Sequence, residues 1–146
     1  MTAFAVVLVA AGGVGGAVQA ALMGRWGERV GTLEAFAFAT LLTGLIGAAL
    51  LLAVRGGFGG YAAAARQPVW LWTAAVMSAL IVVGITYAAP RIGTTATIGI
   101  VVAGNLAMAA VIDGFGLFGL EKIAFRWERL LGIVLLAAGA ALSLKR

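Results

Sequence analysis

Five long apolar runs, broken by short basic connectors, organise this 146-residue chain. They cover roughly residues 3–22, 33–54, 69–89, 94–119 and 130–144. As helices rising about 1.5 Å per residue, the first three match a hydrocarbon layer of about 30 Å. The fourth is longer, which predicts a tilt or a break near its end. The fifth is short and predicts a helix that borrows residues from Phe125–Arg129, whose arginines reach out to the interface. The runs are continuous instead of alternating every second residue, so they predict helices and not the strands of a β-barrel. The expected fold class is all-α integral membrane, one transmembrane domain over residues 1–146 with five helices. The expected location is a bacterial cytoplasmic membrane.

Smaller signals agree with this segmentation. Trp26, Trp70, Trp72 and Trp127 fall at the ends of runs, where amphipathic rings favour the headgroup zone. Pro68 precedes the third run, as proline often does at a helix start. The stretch Arg55-Gly-Gly-Phe-Gly-Gly-Tyr61 reads as a flexible connector, and Pro90-Arg91-Ile92-Gly93 as a four-residue corner. No basic residue precedes Arg25, and the first run outlasts the apolar core of a signal peptide. It is expected to be a retained first helix.

Composition removes whole classes of function. With 64% hydrophobic and 10% charged residues and a mean hydropathy of +1.14, the chain does not fit a soluble domain. A net charge of +5 and a pI near 10.8 would suit nucleic acid in a soluble protein. Here the basic residues flank apolar spans, where anionic lipid headgroups are their partners, so no nucleic-acid partner is expected. The chain contains no cysteine and no histidine. Disulfides, thiolate chemistry, histidine-ligated metals and histidine-based triads are therefore excluded. Only five acidic residues remain, scattered, so neither an enzyme nor a cofactor or metal site is expected.

The distribution of charge is more informative than its sum. With five spans, one membrane face receives Arg55, Arg66, Lys122, Arg126 and Arg129; the other receives Arg25, Arg29, Arg91, Lys145 and Arg146. Orientation follows a Lys/Arg excess on the cytoplasmic side, and five against five supplies none. The chain is thus expected to insert both ways up and to pair with itself as an antiparallel homodimer.

Few polar residues stand inside the spans. Gly12 and Gly16 form a GxxxG pair suited to helix packing, and Gln19 lies about 20° and 60° from them on the same helix face. Asn105 sits near the middle of the fourth run, with Thr94 eleven residues earlier and about 20° away. Ser78 and Tyr87 add hydroxyls to the third. Interhelical hydrogen bonding and contact with a solute both fit Gln19 and Asn105. Glu34 suits the positive end of the second helix. Arg91 and Asp113 lie 22 residues apart, at opposite ends of the fourth run. They cannot meet within one helix, but an antiparallel partner brings the start of one fourth helix to the end of the other. No carboxylate lies at mid-membrane, which argues against a proton–cation exchanger built on a central glutamate. Gly114-Phe-Gly116-Leu-Phe-Gly119 has dinucleotide-loop spacing but no strand before it, so a loosened helix end is expected.

Several residues together carry a resemblance. Gln19 is followed by a short basic connector, Gly44 lies in the second run, and Trp70 follows a proline. Pro90-Arg91-x-Gly93 makes a corner, Gly104 precedes an amide, and Ile112-Asp113-x-x-Gly116-x-x-Gly119 closes the fourth run before Leu131-Gly132. In these features the chain resembles the YdcZ-like family of short inner-membrane proteins within the drug/metabolite transporter superfamily. It departs from that pattern at Asn105, where the family usually has glutamine, and at Met23, where it has asparagine. The resemblance implies a five-helix half-transporter that dimerises into a ten-helix inverted-repeat bundle and exports small organic solutes. Gln19, Asn105, Thr94 and Tyr87 are the candidate solute-binding residues. Arg91 and Asp113 are a candidate ion pair across the dimer. A fluoride-channel-like dual-topology channel and a non-transporting membrane subunit are the competing readings. Flux rate separates the first from a transporter, and saturable uptake by the protein alone excludes the second.

Overall fold

The computed structural model describes residues 2–123 and 126–144, without the side chains of Thr2 and Arg129. All its regular elements are helical: α1 (Thr2–Val30), α2 (Thr32–Arg55), α3 (Gly59–Ala65), α4 (Thr73–Ile92), α5 (Thr94–Phe115) and α6 (Trp127–Leu142). A 3₁₀ turn, Val69–Trp72, leads into α4, and another, Leu117–Gly119, follows α5. Four stretches are long and apolar enough to cross a membrane: Ala3–Val30, Thr32–Arg55, Val69–Ile92 and Thr94–Phe115. The 16 residues of α6 form a shorter apolar helix, about 24 Å long at 1.5 Å per residue. It starts at Trp127, so it does take in residues ahead of Leu130. Lys145 and Arg146, which complete the even charge split, lie outside the described residues, as does Phe125.

The helix boundaries differ from the sequence expectation in an instructive way. The basic connector after residue 22 is helical: α1 continues through Arg25 and Arg29 to Val30. Gly31 alone separates α1 from α2, at φ 105° and ψ 148°. The expected four-residue corner at Pro90–Gly93 likewise shrinks to Gly93, at φ 87° and ψ 151°, with Pro90 inside the last turn of α4. Both glycines occupy a region open essentially to glycine alone, which side-chain patterning does not reveal. The backbone carries its hydrogen bonds through each bend. The Gly31 N–H donates to the Gly27 carbonyl (3.0 Å) and the Ala35 N–H to the Gly31 carbonyl (3.1 Å). At the second corner the Gly93 N–H donates to Ala89 (3.0 Å) and the Thr97 N–H to Gly93 (3.1 Å). In a low-dielectric setting each such bond removes a polar group that would otherwise cost free energy. The flexible connector expected at 55–61 is also partly ordered, since α3 begins at Gly59.

The chain divides into two compact units. One is Met23–Tyr87; the other joins the first 22 residues to those from Ala88 onward. Within the first, Gly27 of α1 approaches α4 so closely that a Cβ there would lie 2.7 Å from Thr86 Cγ2. Thr86 is fully buried and its hydroxyl donates to the Val82 carbonyl at 2.7 Å, so its burial leaves no polar atom unsatisfied. Trp26 and Phe38 meet edge to face with ring centroids 5.6 Å apart. Within the second unit, α5 and α6 pack through small residues: a Cβ at Gly99 would lie 3.0 Å from Ala140 Cβ. That unit also holds the expected break. Gly116 caps α5 in the left-handed conformation, Phe118 has φ 60°, and the Ile123 N–H returns to the Asp113 carbonyl at 2.9 Å. The long fourth run is thus a 22-residue helix followed by a folded-back loop, a loosened helix end as its glycines predict.

Candidate functional site

Within α1 the small-residue stripe is intact. The helix is unbroken through Gly12, Gly16 and Gln19, and no atom lies within 4 Å of where a Cβ would stand at either glycine. Gly12 is exposed, Gly16 half-buried, and the Gln19 side chain exposed. Within its own unit nothing is packed against these two glycines. Ala20, one residue beyond Gln19 and about 100° around the helix, is buried.

In α5, Thr94 is the first helical residue and half-buried, and Asn105 is exposed. The helix is unbroken between them, so the two share a face at an axial separation of about 16 Å. Tyr87 on α4 is 54% exposed. No hydrogen bond among the described residues joins Gln19 to Asn105, and both amides are exposed. Arg91 is exposed in the last turn of α4; Asp113 is half-buried near the end of α5, about 28 Å of helix from Thr94.

The structure adds features that sequence reading missed. Thr86 and Thr97 are the buried hydroxyls, and both donate to a carbonyl four residues back (Val82 and Gly93, at 2.7 and 2.8 Å). Their hydrogen-bonding capacity is spent inside the helix, which suits packing better than solute binding. A threonine in an apolar helix is a weak signal, since the hydroxyl satisfies itself wherever it lies. An open apolar cavity of about 440 Å³ lies between α5 and α6, lined by Ala107, Ala110, Val111 and Gly114 on one side and Leu130 and Ile133 on the other. Its walls offer no charged group. No cluster of metal-ligating residues occurs among the described residues.

Exposed apolar side chains cover most of every long helix: Val6, Val9 and Val14 on α1, Leu41 and Leu45 on α2, Leu80 on α4 and Met108 on α5 are all at least half exposed or close to it. Surfaces of this kind belong in lipid or against another helix, not in water. A chain of apolar helices with a few outward-facing amides and charges confined to helix ends is the physical description of a multi-pass membrane protein. Comparison with known proteins agrees. Residues 4–142 match the model of the family described as "Putative inner membrane exporter, YdcZ", which thus extends over nearly the whole chain. No curated protein and no solved structure matches it. Helical architecture, apolar surface and family match converge: the chain is a multi-pass inner-membrane protein and belongs to the YdcZ exporter family.

Proposed function

We propose that this chain is half of a small-solute exporter. Two copies insert in opposite orientations, pair as an antiparallel homodimer of ten helices, and move a solute by alternating access. The observation that carries the reading is the placement of Gln19 and Asn105. Both amides stand exposed on long apolar helices, where an unpartnered polar group in lipid is costly. A partner subunit and a solute between the two copies would relieve that cost. Gln19 and Asn105 are the solute-binding amides, and Thr94 and Tyr87 supply hydroxyls nearer the membrane face, along the solute's path to them. The site lies near the midplane, as in transporters built from inverted repeats. The fifth crossing is α6, lengthened at its start by Trp127–Arg129. The even split of the ten Lys and Arg residues supports the dual orientation, since neither face attracts the cytoplasm. In the antiparallel pair, Arg91 of each copy meets Asp113 of the other, and the two-fold axis makes the contact twice.

The test is uptake into proteoliposomes carrying the purified protein, screened with small amines, sugars, amino acids and carboxylates. The parent is expected to give saturable flux, and Gln19→Leu or Asn105→Leu to abolish it while the dimer elutes unchanged. Normal uptake by both variants would move the site elsewhere. Flux that never saturates would mark a channel.

A further inference from the structure

Between Glu34 and Asp113 the sequence holds no acidic residue, yet it contains Arg55, Arg66 and Arg91. Arg55 opens the connector from α2 to α4, and Arg66 lies within it. Helix length sets the depth of that connector. The 24 residues of α2 reach about 36 Å, slightly more than a hydrocarbon layer, so Arg55 stands at headgroup level. Val69–Ile92 is also 24 residues long, which returns Val69 to the same level.

This connector is built, not loose. Gly56 closes α2 in the left-handed conformation, its N–H donating to the Leu52 carbonyl at 2.9 Å. Short α3 then leans back on α2: a Cβ at Gly60 would lie 3.2 Å from Leu51 Cδ1, and the Tyr61 hydroxyl approaches Gly47. Phe58 and Tyr61 hold their rings 6.1 Å apart. On this scaffold Arg55 and Arg66 are exposed, and Trp70 and Trp72 are each 52% exposed. Arg25 pairs with Glu28 and Arg126 with Glu128, whereas no side-chain ion pair among the described residues involves Arg55 or Arg66.

Exposed rings and exposed guanidinium groups in one connector that holds no carboxylate complement the phosphate layer of an anionic membrane. The rings settle at the headgroups while each guanidinium forks onto phosphate oxygens. We propose that residues 55–72 form a docking surface for anionic phospholipid, with Arg55 and Arg66 binding the headgroup phosphates. Arg25 in α1 and Arg126 before α6 differ because Glu28 and Glu128 already pair with those guanidinium groups. The proposal goes beyond the transport reading and stands independently of it.

The test titrates the purified, detergent-solubilised protein with phosphatidylglycerol or phosphatidylcholine and counts bound lipid by native mass spectrometry. Arg55→Gln with Arg66→Gln should weaken phosphatidylglycerol binding about thirtyfold, at roughly fivefold per arginine, and leave phosphatidylcholine unaffected. Lysine at both positions, which keeps the charge but not the fork, should retain only part of the binding, and Arg25→Gln should retain it all. If the double glutamine variant elutes abnormally, the two single variants are each expected to lose about fivefold. Equal binding of the two lipids by the parent, an undiminished double variant, or an equal loss in Arg25→Gln would overturn the proposal. Displacement of the lipid by millimolar inorganic phosphate would also overturn it, identifying a small-anion site in place of a membrane surface.

Discussion

Gly27 and Gly99 lie where another helix presses against the missing side chain; Gly12 and Gly16 lie where nothing does. Gly12, Gly16 and Gly99 read alike in the sequence, as glycines inside apolar runs, and Gly27 as part of a basic connector. Gly27 and Gly99 are consumed by the chain's own packing, against Thr86 and Ala140. Gly12 and Gly16 remain open on α1, in line with Gln19. In lipid, apolar side chains gain nothing by leaving the solvent, and close backbone approach is what draws helices together. The contrast therefore separates surfaces that hold one chain together from a surface suited to a second chain, which the proposed dimer would fill.

Gly27→Leu should break this comparison most severely if it is wrong. A leucine there cannot avoid Thr86, so folding within Met23–Tyr87 should weaken by about 1–3 kcal/mol or more. A thermal melt in detergent as high as the parent's would show that the approach at Gly27 is not a packing contact. Next in size, Gly12→Leu with Gly16→Leu should leave the melt of the isolated chain unchanged and weaken dimerisation by about 1–3 kcal/mol. Cross-linking across a dilution series reads this, and a lowered melt without a change in assembly would place the stripe inside the chain. The smallest effect concerns charge. Arg91→Ala and Asp113→Ala should each weaken the dimer by about 1 kcal/mol or less, because Arg91 is exposed. Exchanging the charges, Arg91→Asp with Asp113→Arg, should recover part of that loss. A double exchange no better than either alanine variant would separate the two residues.

The existence of the long helices was legible because apolar runs of this length have few alternatives. Their ends were not. The charges at Arg25 and Arg29 read as a connector, yet arginines on the last turns of a helix can reach out to the interface without ending it. Pro90 read as a terminator, but the corner comes at Gly93, where the backbone takes a conformation that proline and other side chains avoid. The G-x-G-x-x-G ending at Gly119 was legible as a break because several glycines coincide there, and Gly116 and Gly119 both take positive φ. For the site, the sequence identified which polar residues are unusual in an apolar helix. It could not tell that the Thr86 and Thr97 hydroxyls are spent on their own helices, since a serine or threonine has the same appearance either way. Nor could it distinguish the occupied glycines from the open ones, which depends on what crosses them and not on the residue itself.

The one-residue corners have a consequence for amide hydrogen exchange. A helix ordinarily begins with four unbonded N–H groups, but at Gly31 and Gly93 the preceding helix has already taken one of them. The six amides of Thr32, Leu33, Glu34, Thr94, Thr95 and Ala96 should therefore exchange with deuterium far faster than the glycines directly before them. Each corner would then report itself as a sharp step from slow to fast between two adjacent residues, readable in micelles without any transported solute.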